Sequence, residues 1–403
     1  MKSVSKDFDS NTTPNHQRAA SIIMMGHAFK HIYNSGLLNI ILPEIKIGLK
    51  LNAEQYGSLI SFRQIVSWGT TIGAGYISDR FTSKTPLILG ISLGLLGVSF
   101  WMAGHAKNYA TILAIILLIG LSPSLFHPSA IGALSRMFPG RRGLAVSLHG
   151  TGGIIGEVLG PLIAAAALII LEWRGVLQAS LYPAIIVSVL IWWSTRHSLV
   201  KNSDILSFKS YISSVKDILK NRVLILLIVC TALRSIGDTA VGGFLPVYLK
   251  ETLSFSPTRI AIYLSLAQIA GIVSQPTMGY MSDKLGPKSV LVPGMLITAL
   301  LTFALSYSVS NTQLAIIVIA KGAFSFPMYH IFIAAAISAT GGKVQATVTS
   351  IIYAASFLGT FSPYVAGKII DQYDISSVFI YGAIMASITG ILLLGFSLSR
   401  TET

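Results

Sequence analysis

Long apolar runs alternate with short polar stretches along the whole chain. Each run has roughly 20 residues or more, the length that a helix needs to cross a bilayer. Twelve runs lie near residues 19–41, 55–78, 85–105, 109–132, 143–170, 176–195, 222–248, 258–281, 289–308, 312–338, 344–370 and 376–398. They are continuous, whereas a membrane β-barrel would show segments of about ten residues with alternating polarity. The pattern therefore predicts an all-α polytopic membrane protein with 12 transmembrane helices.

Composition and charge support a membrane protein and predict its orientation. Of 403 residues, 53% are hydrophobic and only 11% charged, against about 25% charged in soluble domains. By the predicted loops, 18 of the 29 Lys and Arg residues lie on one side, seven on the other and four inside helices. The positive-inside rule then places both termini in the cytoplasm, and we expect a bacterial cytoplasmic (inner) membrane. The net charge of +14 follows from this bias, so we expect no nucleic-acid partner.

The two halves of the chain repeat each other. The stretch from Gly75 to Lys84 (GYISDRFTSK) returns 204 positions later, from Gly279 to Lys288 (GYMSDKLGPK). Pairs of equal residues, such as His127 with His330, recur at an offset of 203. We therefore predict two six-helix bundles, 19–195 and 222–398, joined by a cytoplasmic linker, 196–221, and flanked by tails 1–18 and 399–403.

The repeated stretch resembles the loops between helices 2 and 3 and between helices 8 and 9 of the major facilitator superfamily. Those loops read Gly-x-x-x-Asp-Arg/Lys-x-Gly followed by basic residues. The second copy matches in full, and the first has Thr82 at the last glycine. The resemblance implies the major facilitator fold, alternating access, and a gating role for Gly75, Asp79, Arg80, Arg142, Gly279, Asp283 and Lys284. Alternatively, these basic loops only set the topology.

The fifth apolar run carries a glycine stripe. Gly152, Gly156 and Gly160 recur every four residues, and small residues of this kind let two helices approach closely. With the stretches from Phe126 to Ala130 and from Arg142 to Ala145, this run resembles the fosmidomycin-resistance type of drug:proton exporter. Glu157 has no counterpart in that subgroup, and the helix 4 arginine common in drug:proton exporters is absent from 109–132.

Several ionisable and polar residues fall inside the apolar runs. Such residues usually face a water-filled path for substrate or ions, although Arg63 is near a helix end and could snorkel there. Arg234 and Asp238, spaced i and i+4, could equally form a simple intrahelical pair. We predict that the substrate is bound by Lys30, His31, Asn34, Arg63, His127, Arg234 and His330.

The predicted activity is secondary transport rather than catalysis. The chain lacks the Gly-x4-Gly-Lys-Ser/Thr motif that would indicate ATP hydrolysis, so we expect no enzyme and no cofactor, with the proton gradient as the energy source. No metal site is expected, because only His27 and His31 have a ligand-like spacing. The single cysteine, Cys230, excludes an internal disulfide, and residues 1–18 lack the apolar core of a cleaved signal peptide.

Basic side chains outnumber acidic ones among the candidates, and a cavity lined by one charge favours ions of the other. We therefore predict a monomeric proton-coupled antiporter that exports a small organic anion, zwitterion or drug-like compound. Glu157 or Asp238 would carry the proton, with His31 or His127 able to share that role. The alternative is an organic-anion uptake symporter or an anion:anion exchanger that clamps its substrate with Lys30 and Arg234.

Overall fold

The computed structural model describes residues 14–138, 142–196, 220–307, 311–340 and 345–395, and within these ranges the chain is helical without any β-strand. Most of the predicted linker, at 197–219, and the tail residues 1–13 and 396–403 lie outside the described residues. The fold class predicted from the apolar runs, an all-α polytopic membrane protein, is confirmed.

The described helices form twelve successive segments, in agreement with the twelve apolar runs. Three segments, the first, sixth and eleventh, each consist of two helices. In chain order the helices are α1 Pro14–His31, α2 Leu38–Gly48, α3 Ala53–Arg80, α4 Thr85–Gly104, α5 Tyr109–Met137, α6 Arg142–Ile170, α7 Trp173–Ala179, α8 Leu181–Thr195, α9 Arg222–Val247, α10 Pro257–Leu285, α11 Pro287–Leu305, α12 Asn311–Ala339, α13 Gln345–Ser356, α14 Ser362–Gln372 and α15 Ser377–Leu394. π-helical turns at Ile32–Leu37 and Tyr248–Thr252 join α1 to α2 and extend α9.

Nine spans in the described part of the chain are long and apolar enough to cross a membrane. The segments outside this group are the first, second and eleventh, and the first two contain Lys30, His31 and Arg63 within their predicted spans. Helix starts follow ordinary capping chemistry: the Asn221 side chain accepts hydrogen bonds from the first backbone N–H groups of α9, as expected for a residue type that favours this position.

The described helices divide into two compact units. The first comprises Met1–Ile41 and Phe62–Ile205. Its core contains fully buried side chains from α1, α4, α5 and α8, among them Ile23, Leu89, Phe126 and Ile191. The glycine stripe of α6 packs against α1: a Cβ at Gly152 would come 2.5 Å from the carbonyl oxygen of Met24, and one at Gly156 would clash with the carbonyl of Ala28. The predicted close approach of these helices is confirmed.

The second unit comprises Leu42–Ser61 and Leu206–Thr403, so the end of the first helical segment and the start of the second pack with the C-terminal half. Its core includes Leu227, Cys230, Leu291 and Phe332. Two reciprocal ion pairs join α2 to the π-helical turn after α9. Lys46 Nζ lies 2.7 Å from Glu251 Oε1, and Lys250 Nζ lies 2.6 Å from Glu44 Oε1. The Asp371 carboxylate accepts hydrogen bonds from the backbone N–H groups of Ala53 and Glu54 at the start of α3.

The two copies of the repeated stretch end their helices differently. In the second copy, α10 continues to Leu285, and Gly286 alone separates it from α11. Gly286 has φ 89° and ψ 152°, a conformation that glycine adopts without the steric cost of a side chain. In the first copy, where Thr82 replaces this glycine, a 3₁₀ turn at Thr82–Lys84 makes the connection instead. Glycine therefore stands at the motif position where a single residue connects the two helices, and Thr82 stands there where the connection is longer.

Candidate functional site

The first unit gathers ionisable side chains from α1, α5 and α6. On α1, His27 and His31 are one turn apart and Lys30 lies between them on the same side of the helix. The π-helical turn Ile32–Leu37 begins directly after His31, and π-helical turns inside helices frequently mark functional sites. Lys30 and His27 are almost completely buried, with 2% and 4% exposure.

Hydrogen bonds and ring stacking connect these side chains into one group, called here the imidazole cluster: His27, Lys30, His31, His127 and His149. Lys30 Nζ lies 2.7 Å from His127 Nε2 and 3.0 Å from His31 Nε2. His31 Nε2 lies 3.1 Å from His27 Nε2. The His149 ring stacks on that of His27 with centroids 3.7 Å apart. The cluster therefore places the buried Lys30 amino group against two imidazole rings.

Helix α6 contributes an acidic residue, Glu157, that contacts this cluster, and a glycine, Gly153, that leaves room for its rings. Glu157 Oε1 lies 3.0 Å from His31 Nδ1. A Cβ at Gly153 would come 2.7 Å from His27 Cε1 and 3.1 Å from His31 Cδ2, so glycine at this position leaves room for both rings. The predicted site residues Lys30, His31, His127 and Glu157 thus lie together, although they come from three helices.

Two other predicted residues of this unit contact each other. Arg63 Nη1 donates a hydrogen bond to Asn34 Oδ1 at 3.0 Å. Asn34 is buried and belongs to the π-helical turn. Arg63 Nε is buried without a hydrogen-bond partner among the described residues, which leaves this guanidinium one donor to offer to a ligand.

The second unit contains a cluster around Asp238 on α9. Arg234 Nη2 lies 2.9 Å from Asp238 Oδ2, and Lys321 Nζ on α12 lies 3.7 Å from Asp238 Oδ1. Ser325 Oγ donates to the same Oδ1 at 3.0 Å, and Arg234 Nη2 also donates to the Ser325 carbonyl at 3.3 Å. Two cations therefore share one carboxylate, and the Asp238 cluster (Arg234, Asp238, Lys321 and Ser325) has one net positive charge if all three ionisable groups are charged.

An aromatic ring, that of Tyr329, borders the Asp238 cluster and also contacts the predicted His330. The Arg234 guanidinium carbon lies 5.5 Å from the centre of the Tyr329 ring, within the range of cation–π attraction. The His330 ring stands edge-on to that of Tyr329 with centroids 5.6 Å apart, and its side chain is exposed. His127 and His330 occupy equivalent positions in the repeat, yet they have different surroundings.

Four residues of the two clusters are absent from the predicted site residues: His27, His149, Lys321 and Ser325. Lys321 is a lysine in the middle of an apolar run, a signal that could have placed it at the site. Ser325 follows it by four positions, one helical turn further along α12. His149 precedes Glu157 by eight positions on α6, a spacing of about two turns that places both on one side of the helix.

The predicted gating residues lie at helix ends. Arg80 is the last residue of α3, and Asp283 and Lys284 lie in the last turn of α10, all three exposed. Lys284 Nζ lies 4.9 Å from the centre of the Tyr280 ring, and Gly279 has open space where a Cβ would be. Gly75, Asp79 and Arg142 belong to helices, but their side chains lie outside the described residues, so their gating role stays a prediction.

A helical membrane protein with a repeated half and buried ionisable side chains in its apolar helices has the features of a transporter of small molecules. The family model of the Major Facilitator Superfamily matches residues 28–236 and 227–403. The chain therefore belongs to the Major Facilitator Superfamily, whose members are transporters and not enzymes.

Curated relatives include proteins named for resistance. The fosmidomycin resistance protein of Escherichia coli K12 is 25% identical over 289 residues, 70% of each chain. The multidrug resistance protein MdtG of Yersinia enterocolitica is 26% identical over 258 residues, 62% of this chain and 60% of the relative. The predicted resemblance to drug exporters of this superfamily is confirmed.

Solved structures share the fold at low sequence identity. A mutant of the nucleoside transporter NupG has a TM-score of 0.79 and 13% identity, covering 94% of this chain and 99% of that one. A bacterial homologue of the human lysosomal transporter Spinster has a TM-score of 0.76 and 15% identity, covering 95% of each chain. At these identities the likeness establishes the fold alone.

Proposed function

We propose that this transporter exports a small zwitterionic, anionic or drug-like compound in exchange for protons, by alternating access. The observation that carries the proposal is the Asp238 cluster, in which one carboxylate lies between two cations inside a membrane helix pair. The relatives named for resistance to fosmidomycin and to multiple drugs favour export. The charge bias favours a bacterial inner membrane with cytoplasmic termini, and we propose that the protein works as a monomer.

The charges of this cluster favour a substrate with an anionic group. Arg234, Lys321 and Asp238 have side-chain exposures of only 11%, 14% and 25%, so their interactions are weakly screened by water. An anionic group that pairs with Arg234 and Lys321 would replace Asp238 as their partner. Guanidinium groups bind carboxylates and phosphates through two parallel hydrogen bonds, and Arg234 Nε is a buried donor without a partner among the described residues.

Whether the substrate also has a cationic group decides if protons move against the substrate or with it. A cationic group on a zwitterion would bind the Asp238 carboxylate and so compete with a proton for it. Because proton and substrate would then occupy Asp238 alternately, transport would be an exchange. We therefore propose Asp238 as the main proton carrier. Glu157, the other predicted carrier, contacts the imidazole cluster through His31 and serves as the comparison.

A substrate that is purely anionic would reverse this coupling. Protonation of Asp238 would release Arg234 and Lys321 for the anion, so proton and anion would bind together. The net positive charge of the cluster thus favours a second candidate, an organic-anion uptake symporter or an anion:anion exchanger. Lys30 was predicted as the second half of the anion clamp, and in the first unit its ammonium is engaged by His31 and His127.

The test is the pH change inside proteoliposomes when a zwitterionic or an anionic probe, such as fosmidomycin, is added outside. With transporters reconstituted in both orientations, exchange moves protons against the substrate, whereas symport moves them with it. We expect inward substrate movement to alkalinise the lumen, an effect lost in Asp238→Asn but retained in Glu157→Gln and in the exposed control Asp374→Asn. Acidification with the substrate would establish symport, and substrate movement without any proton flux would establish anion exchange or uniport.

A further inference from the structure

Three imidazole groups of the first unit converge on one point. His27 and His31 come from adjacent turns of α1, and His127 comes from α5. One ring nitrogen of each lies within 4.8 Å of the corresponding atoms of the other two. Histidines at i and i+4 share a helix face, which is a recurrent arrangement in metal-binding helices. The third imidazole comes from another helix, which is why the sequence spacing alone did not indicate a site.

The opposite ring nitrogens of two of these histidines already face hydrogen-bond acceptors. His27 Nδ1 lies 2.7 Å from the backbone carbonyl oxygen of His149. His31 Nδ1 lies 3.0 Å from the Glu157 carboxylate. A carbonyl or carboxylate oxygen can only accept, so each Nδ1 carries the hydrogen and each neutral ring keeps its lone pair on Nε2. Metal-binding histidines are typically held in this way, by a carboxylate or carbonyl on the far nitrogen.

With both rings neutral, the two Nε2 lone pairs face each other across 3.1 Å, an arrangement that a nearby cation stabilises. The chain's own Lys30 ammonium supplies one, since Nζ contacts Nε2 of His31 and of His127. Zinc–nitrogen bonds of about 2.0–2.1 Å in a tetrahedral site imply a nitrogen–nitrogen separation of about 3.4 Å. The separation of the two α1 nitrogens is thus already close to that of two ligands of one ion.

We propose that His27, His31 and His127 form a binding site for a divalent d-block cation, with Zn²⁺ as the best fit, and that the Lys30 ammonium competes with the ion for it. Three imidazoles suit zinc and its neighbours, whereas Ca²⁺ and Mg²⁺ require oxygen ligands. The Glu157 carboxylate contacts His31 and is placed to orient its ring. The site does not depend on which compound the protein transports.

The test is metal binding by the full-length protein, purified in detergent through a tag without histidines. Titration with Co²⁺, which replaces Zn²⁺ and gives a visible absorption spectrum when tetrahedral, reports ligation directly, and Zn²⁺ displacement gives the affinity. We expect one tetrahedral ion per chain, lost in His127→Asn. Lys30→Met should tighten binding about tenfold, and Glu157→Gln should weaken it about tenfold, as loss of an orienting partner typically does.

His105→Asn is the matched control, because His105 is exposed and lies outside the cluster. It should bind Co²⁺ as the unmodified protein does. Lys30→Met changes the same buried cluster but keeps all three imidazoles. If it still binds Co²⁺, loss of binding in His127→Asn is due to the lost ligand and not to a general disturbance of the cluster. A tetrahedral spectrum that persists in His127→Asn would overturn the proposal. So would its absence from both the unmodified protein and Lys30→Met, or weaker binding after Lys30→Met.

Discussion

The reciprocal ion pairs between α2 and the π-helical turn Tyr248–Thr252 allow a quantitative test of what holds Leu42–Ser61 to the C-terminal half of the chain. Each segment contributes one acidic and one basic residue: Glu44 and Lys46 from α2, and Lys250 and Glu251 from the turn. The perturbation is a charge reversal at one pair: Lys46→Glu, Glu251→Lys and the double variant. The double variant keeps opposite charges across the contact.

The expected magnitude follows from geometry and exposure. Lys46 Nζ contacts both carboxylate oxygens of Glu251, at 2.7 and 2.8 Å, and the side chains are 14% and 32% exposed. Exposed ion pairs contribute about 0.2–1 kcal/mol and hydrogen bonds to charged groups about 1.5–3 kcal/mol, so this partly buried pair should contribute about 1–2 kcal/mol. Like charges about 4 Å apart repel by about 4 kcal/mol at an effective dielectric constant near 20, part of which is relieved by rotation into water.

Thermal unfolding in detergent is the assay, followed by the fluorescence of a thiol probe on the buried Cys230. Each single reversal should lower the unfolding midpoint, and the double variant should recover at least half of the combined loss. Recovery stays incomplete because the double variant places like charges side by side on each segment. Lys107→Glu, an exposed lysine in a connecting loop, is the control and should change little. Strict additivity of the two single effects would refute the reasoning.

Two further predictions concern glycines. Gly156→Leu should prevent close packing of α6 on α1, because a side chain there meets the Ala28 carbonyl and His31 Cβ. We expect a severe loss of folded protein on size-exclusion chromatography, whereas Gly150→Ala, with open space around it, should behave normally. Gly286→Ala should destabilise the protein by about 1–2 kcal/mol because its φ of 89° disfavours a side chain. Gly279→Ala in the same motif should raise helix stability slightly, and equal unfolding midpoints for these two variants would contradict the explanation.

Fold and helix packing were accessible from the sequence because they depend on patterns that are local or repeated. Apolar runs as long as the bilayer is thick can only be helices, and the spacing of Gly152, Gly156 and Gly160 can only present a smooth face. The repeat at an offset of 203 or 204 indicates two similar halves. The sequence also shows the motif glycine at Gly286 and Thr82 in its place in the first copy, but the positive φ of Gly286 is visible only in the structure.

The arrangement of side chains within the sites was less accessible, because each site combines helices that are distant along the chain. Lys321 meets Asp238 across 83 positions, and Lys30 meets His127 across 97. No periodicity relates such positions. The grouping of Leu42–Ser61 with the second unit likewise depends on contacts with residues about 200 positions away.

The two halves share packing positions but differ in their polar groups. Gly156 and Gly359 are equivalent, and a Cβ at either would clash with the helix that begins its half, at Ala28 and at Ser235. The equivalent positions His31 and Arg234 both pair with a carboxylate, but Glu157 comes from a neighbouring helix and Asp238 from the same one. In the first unit a buried ammonium lies among imidazole lone pairs, and in the second a carboxylate lies between two cations. Packing positions are thus shared between the halves, while the polar groups beside them differ.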